Sequence, residues 1–139
     1  MLASLAANLP QSDGLLAYWQ LIVASAAVFN TVQNFFTLKF TRKIYNNVPA
    51  TSVTPLQART FGVWTLTSAV IRFYAAYHIN NKAIYDMALA SYLIAFFHFS
   101  TELFTFGTAT INAGVMSPVV VSTTSLFWML SQYGFYVRA

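Results

Sequence analysis

The chain has 139 residues, of which 58% are hydrophobic and only 7% charged, with mean hydropathy +0.58; that composition excludes an ordinary water-soluble domain. With no cysteine, disulfides, thiol catalysis and thiolate zinc sites are excluded too. The net charge of +4 does not point to nucleic acid, because the basic residues flank apolar runs as they do in membrane proteins.

One domain, residues 1–139, is expected, built as an all-α integral membrane protein with a bundle of four transmembrane helices. Residues 1–14 form a leader without lysine or arginine, so they lack the basic start of a secretory signal and are expected to be retained. Residues 15–36 carry no charge, exceed the ~20 residues needed to cross the hydrocarbon core, and begin with Tyr18 and Trp19 as interfacial anchors. This predicts the first helix. Ala24, Ser25 and Ala27 give it a small-residue surface, and Asn30, Asn34, Thr37 and Thr41 form a polar stripe read as interhelical hydrogen bonding rather than a ligand site.

Residues 37–59 form the main loop and hold Lys39, Arg42, Lys43 and Arg59, four of the seven basic residues. The positive-inside rule places this loop in the cytoplasm and both termini in the lumen. Leu38, Phe40, Ile44 and Tyr45, interleaved with the cations, predict that the first helix continues past the interface as a basic amphipathic turn or two, in reach of anionic lipid.

A second helix over 60–79 turns at Asn80, Asn81 and Lys82 into a third over 83–106, and so short a link forces an antiparallel hairpin. Ionisable residues at membrane depth need partners. With ~1.5 Å of rise per residue, Arg72 lies level with Ala90 and within ~6 Å of the depth of Asp86, while Glu102 lies level with Arg59. The expectation is two ion pairs, Arg72 with Asp86 and Arg59 with Glu102, clamping the hairpin at both ends. Thr65, Ser68 and Arg72 share one face, as do Ser91, Ala95, His98 and Glu102, so the polar sides of the two helices are expected to meet inside the bundle. His78 is read as interfacial. An uncharged loop, residues 107–117, leads to a fourth helix over 119–136, with Ser122, Ser125 and Gln132 on one face and Trp128, Tyr133 and Tyr136 as an aromatic belt.

No phosphate-binding loop, H-E-x-x-H, G-x-S-x-G or nucleotide fingerprint occurs, so no cofactor and no metal are expected. The only catalytic set available is His98, Glu102, Asp86 and Arg72, of which His98 with Glu102 or Asp86 suits proton shuttling in a sterol-isomerase-type membrane enzyme, the alternative being a sterol-binding bundle. Two histidines are too few for a multi-histidine iron site.

Leu38 to Asn47, Ala58 to Asn81, Ser91 to Thr108 and Ser117 to Leu130 carry the runs T-R-K-x-Y, A-R-T-F-G-x-W-T, I-R-F-Y, F-H-F-x-[ST]-E and V-V-S-T-T-S-L. In these the chain resembles a fungal member of the ergosterol biosynthetic protein 28 family, over residues 15 to 131. The resemblance implies a non-catalytic, multi-pass protein of the endoplasmic reticulum membrane. It implies a scaffold for the enzymes of sterol C-4 demethylation: the C-4 methyl oxidase, the decarboxylating C-3 sterol dehydrogenase and the 3-keto sterol reductase, with sterol C-24 methyltransferase as a further partner. Membrane lipid and a second copy of the chain complete the partners this reading allows. Arg42, Lys43, Arg59, Thr60, Phe61, Gly62, Trp64, Arg72, Tyr74, His98 and Glu102 fall in the motif runs without an assigned role. The uncharged loop 107–117 departs from the basic loop expected of relatives. The end YVRA carries no dibasic retrieval signal, so retention is expected to come from partners or span properties.

Overall fold

The computed structural model describes residues 6–138. Its helices are α1 (Leu16–Phe36), α2 (Lys39–Ile44), a 3-10 turn (Ala50–Ser52), α3 (Pro55–Tyr77), α4 (Lys82–Phe104), α5 (Ala113–Ser131) and the short α6 (Tyr133–Tyr136). The all-helical expectation holds, with no strand among the described residues.

Helix ends follow capping chemistry. α3 starts five residues before the expected 60 because Thr54 caps it, its hydroxyl accepting from the Gln57 amide at 3.1 Å, and Pro55 occupies the first turn where its missing N–H costs nothing. Likewise α5 starts at Ala113, not 119: Asn112 accepts from the Gly114 and Val115 amides, and Pro118 lies inside the helix. It ends at Ser131 rather than running to 136. α1 does not continue into the basic segment; Thr37 is extended (φ −149°, ψ 149°) and α2 is a separate helix that buries Thr41 and Ile44 while Lys39, Arg42 and Lys43 stay exposed.

Two helices, α4 and α5, are long and apolar enough to cross a membrane, and only 28% and 22% of their apolar windows are buried, unlike the core helix of a soluble protein. Four were expected. α1 and α3 have the length, at 21 and 23 residues, but Gln20, Asn30, Gln33 and Asn34 in one and Arg72 in the other lower their hydropathy.

α1 packs most extensively on α3, and α4 on α5 and α3. Close approach of α1 and α3 depends on Gly62, where a Cβ would meet the Asn34 Cβ at 3.2 Å and the Phe35 ring at 3.3 Å; there the Thr31 hydroxyl donates to the Gly62 carbonyl at 3.1 Å. Large apolar side chains point outward on all four long helices, among them Phe29, Phe73, Phe97 and Phe127. The loops sort to two ends. Asn47 N donates to Thr108 O (3.1 Å) and Asn46 exchanges two hydrogen bonds with Thr110 (2.8 and 2.7 Å), joining the segments after α2 and after α4. At the other end Leu16 N donates to the Tyr136 hydroxyl (3.3 Å) and the Tyr77 hydroxyl to Asn8 O (2.9 Å).

Candidate functional site: a polar layer and a cavity between the helices

Arg72 is buried in α3 at 7% exposure and reaches α4, as the depth arithmetic requires, but its partner there is not a carboxylate. Its Nε donates to Ser91 Oγ at 3.2 Å and Nη2 to Ser91 O at 3.5 Å, and its Cζ lies 4.0 Å from the centre of the Tyr92 ring. The expected Arg72–Asp86 pair is therefore corrected: the Asp86 side chain is 41% exposed and turns to its own helix start, where Lys82 Nζ lies 2.5 Å from Oδ2, and to α6, where the Tyr133 hydroxyl donates to Oδ1 at 2.6 Å. Depth arithmetic on a hairpin says nothing about azimuth, and a lysine four residues away on the same helix is the nearer partner.

The layer around Arg72 extends through residues whose polar ends the sequence did not single out. The Tyr92 hydroxyl donates to Gln20 Oε1 at 2.8 Å, and Gln20 Nε2 to the Met129 sulfur at 3.3 Å. Trp19 Nε1 donates to Ser125 Oγ at 2.9 Å, and the Tyr85 hydroxyl to Met129 O at 2.7 Å. All four long helices thus share one hydrogen-bonded layer. The signal in sequence is Tyr85 and Tyr92 seven residues apart on one face of α4, with the amide of Gln20 in the apolar first half of α1.

Nearer the basic end, His98 is half-buried and Glu102 largely so. The Tyr45 hydroxyl lies 2.7 Å from His98 Nε2, and Glu102 Oε1 is 3.9 Å from His98 Nδ1. Glu102 accepts a hydrogen bond from Thr108, not from Arg59, which is exposed at the start of α3. Among the described residues the ion pair between ordinarily charged side chains is Lys82–Asp86, and Glu102 faces His98, a pair only when that imidazole is protonated, so the Arg59–Glu102 pair is corrected as well. Burial, then the charge of Glu102, push the Tyr45 phenol well above its ordinary 10.0 and keep it neutral. The rings of Trp64, Phe99 and Tyr45 pack edge-on against the imidazole at 5.0 to 6.0 Å. Asp86, twelve positions earlier on the same helix and so ~18 Å away along its axis, takes no part in this group.

Between the two layers lies a cavity of about 200 Å³. Arg72, Ser68, Thr65, Asn30 and Ser122 supply its polar wall, and Trp19, Phe40, Phe61, Trp64, Tyr92 and Phe99 its aromatic wall. His98, Glu102 and Ser91 are not among its lining residues. Of the polar face expected on α3 and α4, Thr65 and Ser68 border the cavity, Ser91 holds Arg72, and His98 is engaged by Tyr45. No group of three or more His, Cys, Asp or Glu that could hold a metal occurs among the described residues.

A family model described as "Erg28 like protein" matches residues 16–127. Ergosterol biosynthetic protein 28 of Schizosaccharomyces pombe is 47% identical over 120 residues, 86% of this chain and 87% of that protein. The Candida albicans protein of the same name is 41% identical over 139 residues, 99% of this chain and 100% of its own length, and the Mus musculus homolog is 44% identical over 117 residues, 84% of this chain and 83% of its own. No solved structure matches.

Proposed function

The chain belongs to the Erg28-like family, and on that premise we propose that it is a multi-pass scaffold of the endoplasmic reticulum membrane that acts in sterol biosynthesis by gathering other enzymes. Its partners on this reading are the sterol C-4 methyl oxidase, the decarboxylating C-3 sterol dehydrogenase, the 3-keto sterol reductase and sterol C-24 methyltransferase. Tethering needs no chemistry of its own: intermediates pass between held enzymes at raised effective concentration.

The outward apolar faces of α1, α3, α4 and α5 carry this reading, because they favour four spans where composition alone supports two. A polar helix can cross a membrane when its polar side chains turn into the bundle, and Gln20, Asn34 and Arg72 each make hydrogen bonds there. A shallow groove between α1 and α3, bordered by Ala24, Ser25, Val28, Ala69, Val70 and Phe73, offers small residues to a partner's transmembrane helix. The acid and histidine pair gives less support to a sterol isomerase, since His98 and Glu102 are engaged by Tyr45 and Thr108 and do not line the cavity.

Affinity capture from mildly solubilised membranes tests the scaffold: the four named enzymes are expected to come with the chain, and their absence under conditions that preserve membrane complexes would overturn the reading. Turnover of a sterol intermediate by the purified protein, abolished by His98→Ala and Glu102→Gln, would replace it with the enzyme.

A further inference from the structure

We propose that the cavity between the helices is a binding site for an amphipathic lipid anion, a flat apolar body bearing one carboxylate that pairs with Arg72, with part of the body lying in the cavity's open side. The site is independent of which enzymes the chain gathers.

Charge is the first argument. The chain has three carboxylate side chains, Asp13, Asp86 and Glu102, and none forms an ion pair with Arg72, whose side chain is nonetheless buried and borders the cavity. A guanidinium has five N–H donors; two are used on Ser91, which leaves three without a protein partner among the described residues. A buried cation costs most when nothing opposes its charge. A carboxylate in the cavity would neutralise it and use the donors bidentately, while Ser68, one turn away on α3, offers a hydroxyl from the wall. The Tyr92 ring covers the guanidinium on one side, its centre 4.0 Å from Cζ.

Shape is the second. From Arg72 the lining continues along α3 through Ser68, Thr65 and Trp64 to Phe61, eleven residues or ~16 Å of helix. Arg72 is the one charged residue in the lining and stands at one end of it, while rings of Phe40, Phe61, Trp64 and Phe99 line the other. A single charge at one end fits a ligand with its own charge there and ring faces or a stiff hydrocarbon beyond it. The wall is completed by Ile22 and Ala26 of α1 and by Ser117 and Val121 of α5, two helices that touch each other sparsely. Ile22 is 61% exposed, and Ala26 and Ser117 are exposed too, so the cavity opens sideways through this seam. In a membrane the seam faces lipid, and a hydrophobic ligand enters without crossing water.

The test uses the full chain in nanodiscs of neutral phosphatidylcholine, with tryptophan emission as the readout because Trp19 and Trp64 line the cavity. Cholesteryl hemisuccinate, cholesterol and palmitate are titrated separately. The carboxylated sterol is expected to bind at least ~10-fold more tightly than cholesterol, and Arg72→Gln to remove that preference while Arg72→Lys keeps part of it. Palmitate binding as tightly as the sterol acid would overturn the flat body; palmitate binding weakly would support it. Ala26→Leu, at the exposed rim and away from the polar layer, is expected to weaken all binding without unfolding the chain, so the site stays testable if Arg72→Gln does not fold. Equal affinity for the neutral and anionic sterols, or full binding after the rim is filled, would overturn the proposal.

Discussion

The guanidinium of Arg72 lies over the ring of Tyr92, with Cζ 4.0 Å from the ring centre, and the hydroxyl of that ring donates to Gln20 on a third helix. One tyrosine therefore ties α3 to α1 through α4. Tyr92→Phe keeps the stack and loses the hydrogen bond, leaving the buried Gln20 carbonyl without its donor. Interhelical hydrogen bonds of this kind contribute about 0.6 kcal/mol on average and up to ~1.7. Tyr92→Leu loses the stack as well, a further loss of roughly 2 kcal/mol for a desolvated cation over a ring. Denaturant unfolding in bicelles is expected to rank wild type, Tyr92→Phe and Tyr92→Leu in that order; equal stability of the two variants would refute the stack.

Coupling distinguishes the observed partner of Arg72 from the one its depth suggests. Arg72→Leu and Asp86→Leu touch no shared side chain, so their effects on stability are expected to add within about 0.5 kcal/mol. Arg72→Leu and Tyr92→Leu share a contact and are expected to deviate from additivity by more than that. A rescue of Arg72→Leu by Asp86→Leu would restore the ion pair that the geometry denies.

Gly114 faces a different constraint. A Cβ there would meet the Lys43 carbonyl oxygen at 2.7 Å and its carbon at 2.9 Å, both backbone atoms that cannot rotate away. Asn112 Nδ2 donates to the same carbonyl at 3.0 Å, so α5 starts hard against the end of α2. Gly114→Ala is expected to destabilise by about 1–3 kcal/mol through overpacking. Gly134→Ala, where a Cβ meets nothing within 4 Å, is the control and is expected to leave the melting temperature unchanged or slightly raised.

The Tyr45 phenol, held above its ordinary 10.0 by burial, gives a pH signature. A group that binds its proton more tightly when folded contributes its full stability below the unfolded value and loses it as pH rises beyond. Wild type is expected to exceed Tyr45→Phe in stability by a gap that neither the tyrosine's ionisation nor its loss alters up to about pH 10, and that shrinks above it. A gap that widens with alkalinity would mean that Tyr45 ionises more readily in the folded protein.

Much of this arrangement is legible in the residues alone. The hairpin follows from Asn80, Asn81 and Lys82, and the depth of Arg72 beside Ser91 follows from helix rise. What depth omits is azimuth, and for that reason it points to Asp86 where Arg72 meets Ser91 and Tyr92. The starts of α3 and α5 are also written locally, in Thr54–Pro55 and in Asn112, yet prolines in an apolar chain read more readily as breakers than as first-turn residues. The pairing of Tyr45 with His98 joins residues 53 positions apart, and no periodicity within a helix reports a contact made when a short helix folds back across the bundle.

Topology supplies the last prediction. The hydrogen bonds between Asn46 or Asn47 and Gly107, Thr108 or Thr110 hold two loops at one end of the bundle, while the turn after α3 lies at the other. If all four long helices span, the two loops share one side of the membrane and Asn80 faces the opposite side. The chain contains no cysteine, so single cysteines report without background. Thr51→Cys and Ile111→Cys, both at exposed positions, are expected to react with a membrane-impermeant maleimide from the same side of sealed vesicles, and Asn80→Cys only from the other. Labelling of Thr51→Cys and Ile111→Cys from opposite sides would contradict the loop pairing. Labelling of all three from one side would mean that neither α3 nor α4 crosses the membrane and that the two form a re-entrant pair.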